Sequence, residues 1–205
     1  MDTELLRADS PEALRHALSV LGAGGLVAFP TDTVYGLGAL AFDAKAVEGI
    51  YAAKGRPEEK AIPVLLGDAE DLPKVISNLP PMAVKLISRF WPGPLTLILP
   101  KKPTLPEAVS ATPTVAVRVP DHPVARALLC AAGPMAVTSA NLSGKPGACT
   151  AQEVLAQLAG KIALIIDGGK TPGGLPSTLV DCTGAEPVLL RDGPISLQNI
   201  LSALD

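Results

Sequence analysis

The strongest constraint on the fold of this chain is a set of short apolar runs, each closed by a proline, a glycine or a polar turn. LVAFP (26–30), AIPVLL (61–66), LTLILP (95–100), TVAVRVP (114–120), PMAVTSA (134–140), KIALIID (161–167), STLVD (177–181) and PVLLR (187–191) have the length and aliphatic content of buried strands. Between some of them lie helical patterns: SPEALRHALSVLGAGG (10–25), AKAVEGIYAAK (44–54), PPMAVKLISRF (80–90), HPVARALLCAAG (122–133) and AQEVLAQLA (151–159), with a short last helix from about Ser196. Ser10 before Pro11 and Asp43 before Ala44 are the expected helix caps. Several strands follow one another with no helix between them. A regular doubly wound sheet would alternate, so the pattern predicts an α/β (α+β) chain with a twisted, mixed parallel and antiparallel sheet flanked by helices.

Composition narrows the class. The 205 residues contain no internal repeat and no linker-like stretch, which predicts one domain over residues 1–205. Apolar residues make up 48% but aromatics only 3%, so Leu, Val, Ile and Ala must fill the core, and a base-stacking platform for single-stranded nucleic acid is disfavoured. The net charge of -3 supplies no global field for DNA or RNA, so any anion site must be a local concentration of cations. Cys130, Cys149 and Cys182 are scattered, as are His16 and His122, which indicates neither a zinc site nor a disulfide framework. The apolar runs are too short to span a bilayer and no secretory signal is visible. The expectation is a soluble cytoplasmic protein with no membrane partner.

Polar residues gather at strand ends and glycine-rich turns. AAKGRPEEK (52–60) packs Lys54, Arg56 and Lys60 at a helix exit. Basic residues there complement the helix dipole, and they can also face a polyanion. Thr31, Asp32 and Thr33 follow an apolar strand, a good turn that also offers hydroxyls and a carboxylate to a small polar ligand. Ser139, Asn141 and Ser143 precede Gly144 and Gly147, which is either a Ser/Asn turn or a seat for sugar or phosphate oxygens. GGKTPGGLPSTLVD (168–181) resembles a phosphate cradle but lacks the GxxxxGK[ST] pattern, and a surface lid is the competing reading. Arg118 and Arg191 each end an apolar strand. This inventory suits anion stabilisation and positioning rather than nucleophilic catalysis.

Taken in order, FPTDTVYGLG, KGRP, FWPGPLTLIL, VAVRVPDHP, TSANLSGKP and PSTLVD with LLRDGPIS resemble the YrdC-like domain of the threonylcarbamoyl-AMP synthase family over about residues 10–197. The resemblance implies a twisted sheet enclosing a large, positively lined central cavity. It implies a nucleotidyltransferase that turns L-threonine, bicarbonate and ATP into threonylcarbamoyl-AMP, pyrophosphate and water, with Mg2+ on the triphosphate. The product would feed tRNA threonylcarbamoyladenosine modification through a downstream threonylcarbamoyl transferase complex, with tRNA itself a further partner.

Residue by residue, the resemblance implies Lys54 and Arg56 as the catalytic phosphate clamp. It implies Thr33, Arg118, Ser139 and Ser177 as contacts to L-threonine. On the ATP side it implies Lys54, Arg56, Lys60, Thr114, Ser139, Asn141, Cys149 and Arg191. Lys60 and Leu65 stand where many relatives carry asparagine and histidine. Soon after Arg191 the chain stops, which implies the short form without the further carboxy-terminal domain of longer relatives. Two other readings stay open at this point: a non-catalytic binder of double-stranded RNA or tRNA, and a carbamoyl-transfer paralogue.

Overall fold

The computed structural model describes residues 2–57, 59–173 and 175–205. Glu58 of the cation-rich segment and Gly174 of the glycine-rich one lie outside the described residues. The chain opens with β1 (Glu4–Arg7), α1 (Ala13–Gly22), β2 (Val27–Phe29), β3 (Gly36–Leu40), α2 (Ala44–Lys54) and β4 (Val64–Leu65). It continues with α3 (Leu72–Val75), α4 (Pro81–Phe90), β5 (Leu95–Pro100), β6 (Thr114–Arg118), α5 (Pro123–Ala132) and β7 (Met135–Ser139). The last elements are α6 (Ala151–Leu158), β8 (Leu164–Asp167), β9 (Thr178–Asp181), β10 (Val188–Arg191) and α7 (Leu197–Ser202).

The strands form one sheet in the order β1-β8-β2-β3-β7-β4-β6-β5-β9-β10. Its pairings are mixed: β1/β8, β8/β2, β4/β6 and β5/β9 run parallel, and the other five contacts are antiparallel. The mixed sheet expected from consecutive strands is therefore present. Both faces are covered. Val27 and Phe29 point into a layer with Ala17 and Leu21 of α1 and Ala125 and Leu129 of α5, whereas Ala28 faces the larger cluster that holds α2, α4 and α6 residues. Alternation along a strand buried on both sides produces this split. In β3, Gly38 lets the layers close: a Cβ there would stand 2.8 Å from Met135 and 3.2 Å from Phe29.

Local signals explain most element ends. The Asp43 carboxylate accepts from the Ala46 N–H at 3.0 Å and caps α2. Gly55 ends the same helix in the left-handed region at φ 59°, which turns the chain immediately after Lys54. Ser10 behaves differently from expectation. Helix α1 begins at Ala13 with Glu12 as its first flanking residue, and Ser10 instead closes a turn through its carbonyl and the Ala13 N–H. Strand β1 and helix α3 have no counterpart in the sequence pattern, because β1 is a mostly exposed four-residue edge and α3 is a single turn.

Gly193, just past β10, fixes the start of β9. A Cβ at this position would lie 2.3 Å from the Thr178 nitrogen and 2.7 Å from the Pro176 carbonyl oxygen, both backbone atoms. Gly193→Ala is expected to destabilise the protein by about 1–3 kcal/mol, the range for overpacking. Gly184→Ala meets only the Glu186 carbonyl, at 3.7 Å, and should stay within about 0.5 kcal/mol of wild type. Urea unfolding of the two variants checks the contrast.

Candidate active site

A cavity of about 430 Å³ opens among the strand ends, within the range of small-molecule sites. Thr31, Thr33, Thr96, Arg118, Ser139 and Ser177 line its wall, joined by Arg56 from the loop after α2 and Arg191 from the end of β10. All four residues expected to contact an amino acid, Thr33, Arg118, Ser139 and Ser177, thus meet in one hollow. Leu65 also lines it and offers only an apolar surface.

Arg118 ends β6 and is buried, so its N–H groups require partners. Nε donates to the Gly93 carbonyl at 3.0 Å, Nη1 to the Thr33 hydroxyl at 3.2 Å, and Nη2 to Asp32 Oδ1 at 2.5 Å. Asp32, which the sequence offers either as a turn residue or as a carboxylate for a small polar ligand, is the ion-pair partner of the buried arginine. A buried cation at a strand end demands acceptors, which is the available signal, but nothing local says that one of them is an acid or which acid it is. Asp32 Oδ2 is buried with no hydrogen-bond partner among the described residues.

The other cations are held by carbonyl oxygens. Arg56 donates from Nε to the Lys60 carbonyl at 3.1 Å and from Nη2 to the Ala61 carbonyl at 2.9 Å. Arg191 donates from Nε and Nη2 to the Ser177 carbonyl, and Nη2 also reaches Ser177 Oγ at 3.1 Å. That hydroxyl pairs with Thr96 Oγ1 at 2.7 Å. Burial, and then the charge of Arg118, lowers the Arg191 guanidinium from its ordinary value; burial lowers Arg56 as well. An anion entering beside these groups would oppose both shifts.

Lys54 lies behind the wall rather than on it. It is 3% exposed, and Nζ donates to the Ser139 and Asn141 carbonyls at 2.5 Å each. Its own carbonyl accepts from the Ser143 N–H. The end of α2 is thereby tied to the loop after β7. Asn141 donates from Nδ2 to the Leu142 and Lys145 carbonyls, and its Oδ1 is buried without a protein partner among the described residues. Lys60, Thr114, Asn141 and Cys149 stand outside the cavity wall: Lys60 is exposed, and Thr114 bonds Thr112 at the outer end of β6. The Cys149 carbonyl accepts from the Thr171 N–H.

The glycine-rich segment straps across the threonine turn. The Gly173 N–H donates to the Thr33 carbonyl at 2.8 Å, and the buried Tyr35 hydroxyl donates to the Gly169 carbonyl at 2.7 Å. Among the described residues no group of three or more His, Cys, Asp or Glu side chains is arranged to hold a metal, and no helix is long and apolar enough to cross a membrane.

Burial, with a smaller contribution from Arg56, pushes the Lys54 ammonium down from 10.5 to about 8. Between those values the unfolded chain binds the Lys54 proton more tightly than the folded chain does. Lys54 therefore makes stability rise with pH across that window. The neutral amine still carries two N–H donors for its two carbonyls, so the tie itself survives deprotonation. Lys54→Met strands both carbonyls and is expected to cost about 1–3 kcal/mol at neutral pH. Urea midpoints of the two proteins measured across the same window should diverge further as pH rises.

Comparison with known proteins accords with this geometry. The Sua5/YciO/YrdC family model, described as telomere recombination, matches residues 19–193. The chain is 46% identical over 201 residues to a threonylcarbamoyl-AMP synthase of Bacillus subtilis, an alignment covering 97% of this chain and 58% of that protein. It thus spans a little over half the length of that relative. The crystal structure of Pyrococcus abyssi Sua5 complexed with L-threonine superposes with a TM-score of 0.93 at 43% identity, covering 99% of this chain and 61% of that one. Escherichia coli YciO superposes at 0.85 with 29% identity, covering 98% and 100%. A mixed sheet of this order, a cavity walled by the PTDT turn, and a match over most of the sequence lead to one conclusion: the chain belongs to the Sua5/YciO/YrdC family.

Proposed function

We propose that the cavity makes threonylcarbamoyl-AMP from L-threonine, bicarbonate and ATP. The observation that carries this reading is the meeting of Thr33, Arg118, Ser139 and Ser177 with Arg56 and Arg191 around one hollow. An amino-acid carboxylate is a fitting ligand for the Arg118 fork, whose remaining N–H groups have no partner among the described residues and can form charge-assisted bonds. A polyphosphate fits Arg56 and Arg191, which are positioned by carbonyls and keep their full charge for a ligand. The names of the Bacillus relative and of the threonine-bound Pyrococcus structure support the same assignment.

The chemistry follows from positioning. The threonine amine adds to bicarbonate or carbon dioxide, giving a carbamate and releasing water in the bicarbonate case or a proton in the carbon dioxide case. A carbamate oxygen then attacks the α-phosphorus of ATP, and pyrophosphate departs. Magnesium enters as part of the substrate, on the triphosphate. Arg56 and Arg191 offset charge growing on the leaving group, while Lys54 holds the Ser139–Asn141 loop in register and adds positive potential from behind. The product would pass in the cytoplasm to a threonylcarbamoyl transferase complex acting on tRNA.

Pyrophosphate release, measured with protein, MgATP and bicarbonate, tests the reading: it should depend on L-threonine. Release that requires carbamoyl phosphate would point to carbamoyl transfer, and salt-sensitive RNA binding without turnover would point to a binding module. Arg56→Ala should slow the threonine-dependent release by about 10²-fold, the scale of a lost anion-stabilising donor. An unchanged rate would remove Arg56 from the clamp.

A further inference from the structure

The hydroxyl protons around Thr33 can be assigned by counting. A threonine hydroxyl carries one proton and two lone pairs. Thr31 Oγ1 lies 2.6 Å from the Val34 carbonyl oxygen, which only accepts, so the Thr31 proton is committed there. Thr31 Oγ1 also accepts the Thr33 N–H at 3.2 Å. In the 3.0 Å contact between Thr31 Oγ1 and Thr33 Oγ1, Thr33 must therefore be the donor. This uses both lone pairs of Thr31 and the only hydroxyl proton of Thr33. One Thr33 lone pair takes the Arg118 Nη1 N–H at 3.2 Å. What remains on Thr33 is a single lone pair, on a residue that lines the cavity.

We propose that Thr31 is a positioning residue that fixes Thr33 as an acceptor toward the cavity, so that Thr33 receives an N–H or O–H of the amino acid and turns away its carboxylate. The sequence offers two equivalent hydroxyls in PTDT; the fold makes them unequal. Thr31 is 3% exposed and Thr33 5%, so water is a poor substitute for the missing partner at either hydroxyl. With Thr33 limited to acceptance, the carboxylate is left to Arg118, and the amino acid can enter in only one orientation. Loss of the Thr31 hydroxyl would free the Thr33 proton to donate, and the site would then accept a carboxylate oxygen where it now requires a donor. This inference rests on the proposed reaction.

The test is the Michaelis constants for L-threonine and ATP in threonine-dependent pyrophosphate release. Thr31→Val should raise the L-threonine KM about tenfold, the scale of one misdirected buried hydrogen bond, with the ATP KM within about twofold of wild type. Thr31→Ser restores the hydroxyl and should return the L-threonine KM to near the wild-type value. Thr31→Cys accepts only weakly from Thr33 and donates only weakly to Val34, so it should fall between, and it carries the test if the valine variant does not fold. Because Thr31 acts through Thr33, Thr31→Val added to Thr33→Val should cost no more than Thr33→Val alone. An unchanged L-threonine KM in both Thr31→Val and Thr31→Cys, equal rises in the two Michaelis constants, or losses that multiply in the double variant would each overturn the inference and leave the proposed reaction standing. Wild-type protein that releases no pyrophosphate in response to L-threonine would overturn both.

Discussion

Arg118 is a cation that the fold keeps inside the protein, and satisfying it organises the site. A buried guanidinium without partners is prohibitively costly, so its donors must find acceptors before the sheet can close around it. Those acceptors come from separate parts of the chain: Gly93 just before β5, and Asp32 with Thr33 in the turn after β2. Strand β6, which carries Arg118, pairs with β5 and β4, while β2 lies three strands farther along the sheet from β4. The ion pair with Asp32 therefore spans the sheet's centre and pulls the PTDT turn over the cavity. Breaking either partner would leave a charge stranded, a larger penalty than the pair's net contribution to stability.

The site cations divide by what holds them. Lys54, Arg56 and Arg191 are all fixed by backbone carbonyls, namely those of Ser139 and Asn141, of Lys60 and Ala61, and of Ser177. A carbonyl dipole orients a cation without cancelling its charge. Among the described residues, Arg118 is the one of the four paired with a carboxylate. Three positions thus retain net positive charge, which suits a polyphosphate, while the fourth is locally balanced, which suits a zwitterion such as a free amino acid. In a chain of net charge -3 the proposed anion site would rest on this local arrangement rather than on overall charge.

What could be read in the sequence follows this same division between local and distant causes. The Asp43 cap, the Gly55 stop and strands such as Leu95–Pro100 and Thr178–Asp181 are set by neighbouring residues, and they were legible. The family resemblance brought Thr33, Arg118, Ser139 and Ser177 together, and the cavity contains all four. Other features depend on partners far along the chain. That Lys54 points at the Ser139 loop instead of into the hollow is decided by carbonyls 85 and 87 residues away. Asp32 finds Arg118 across a separation of 86 residues, and Thr96 finds Ser177 across 81. Ser10 misled because its cap-like context is local but its helix starts three residues later.

The PTDT turn shows how such distant constraints accumulate into preorganisation. The Thr33 N–H donates to Thr31, its carbonyl accepts from Gly173, and its hydroxyl is held between Thr31 and Arg118. Each polar group of one residue is thus fixed, by Thr31, Gly173 and Arg118 between them. Tyr35 adds a further tie, because its hydroxyl holds Gly169 while its N–H donates to the Ala148 carbonyl, joining the turn to both glycine-rich segments. A residue held at its nitrogen, its carbonyl and its side chain has little freedom left to lose on binding. Its contribution to a ligand is therefore directional rather than adaptive, and a site built this way discriminates by the sense of its hydrogen bonds as well as by shape.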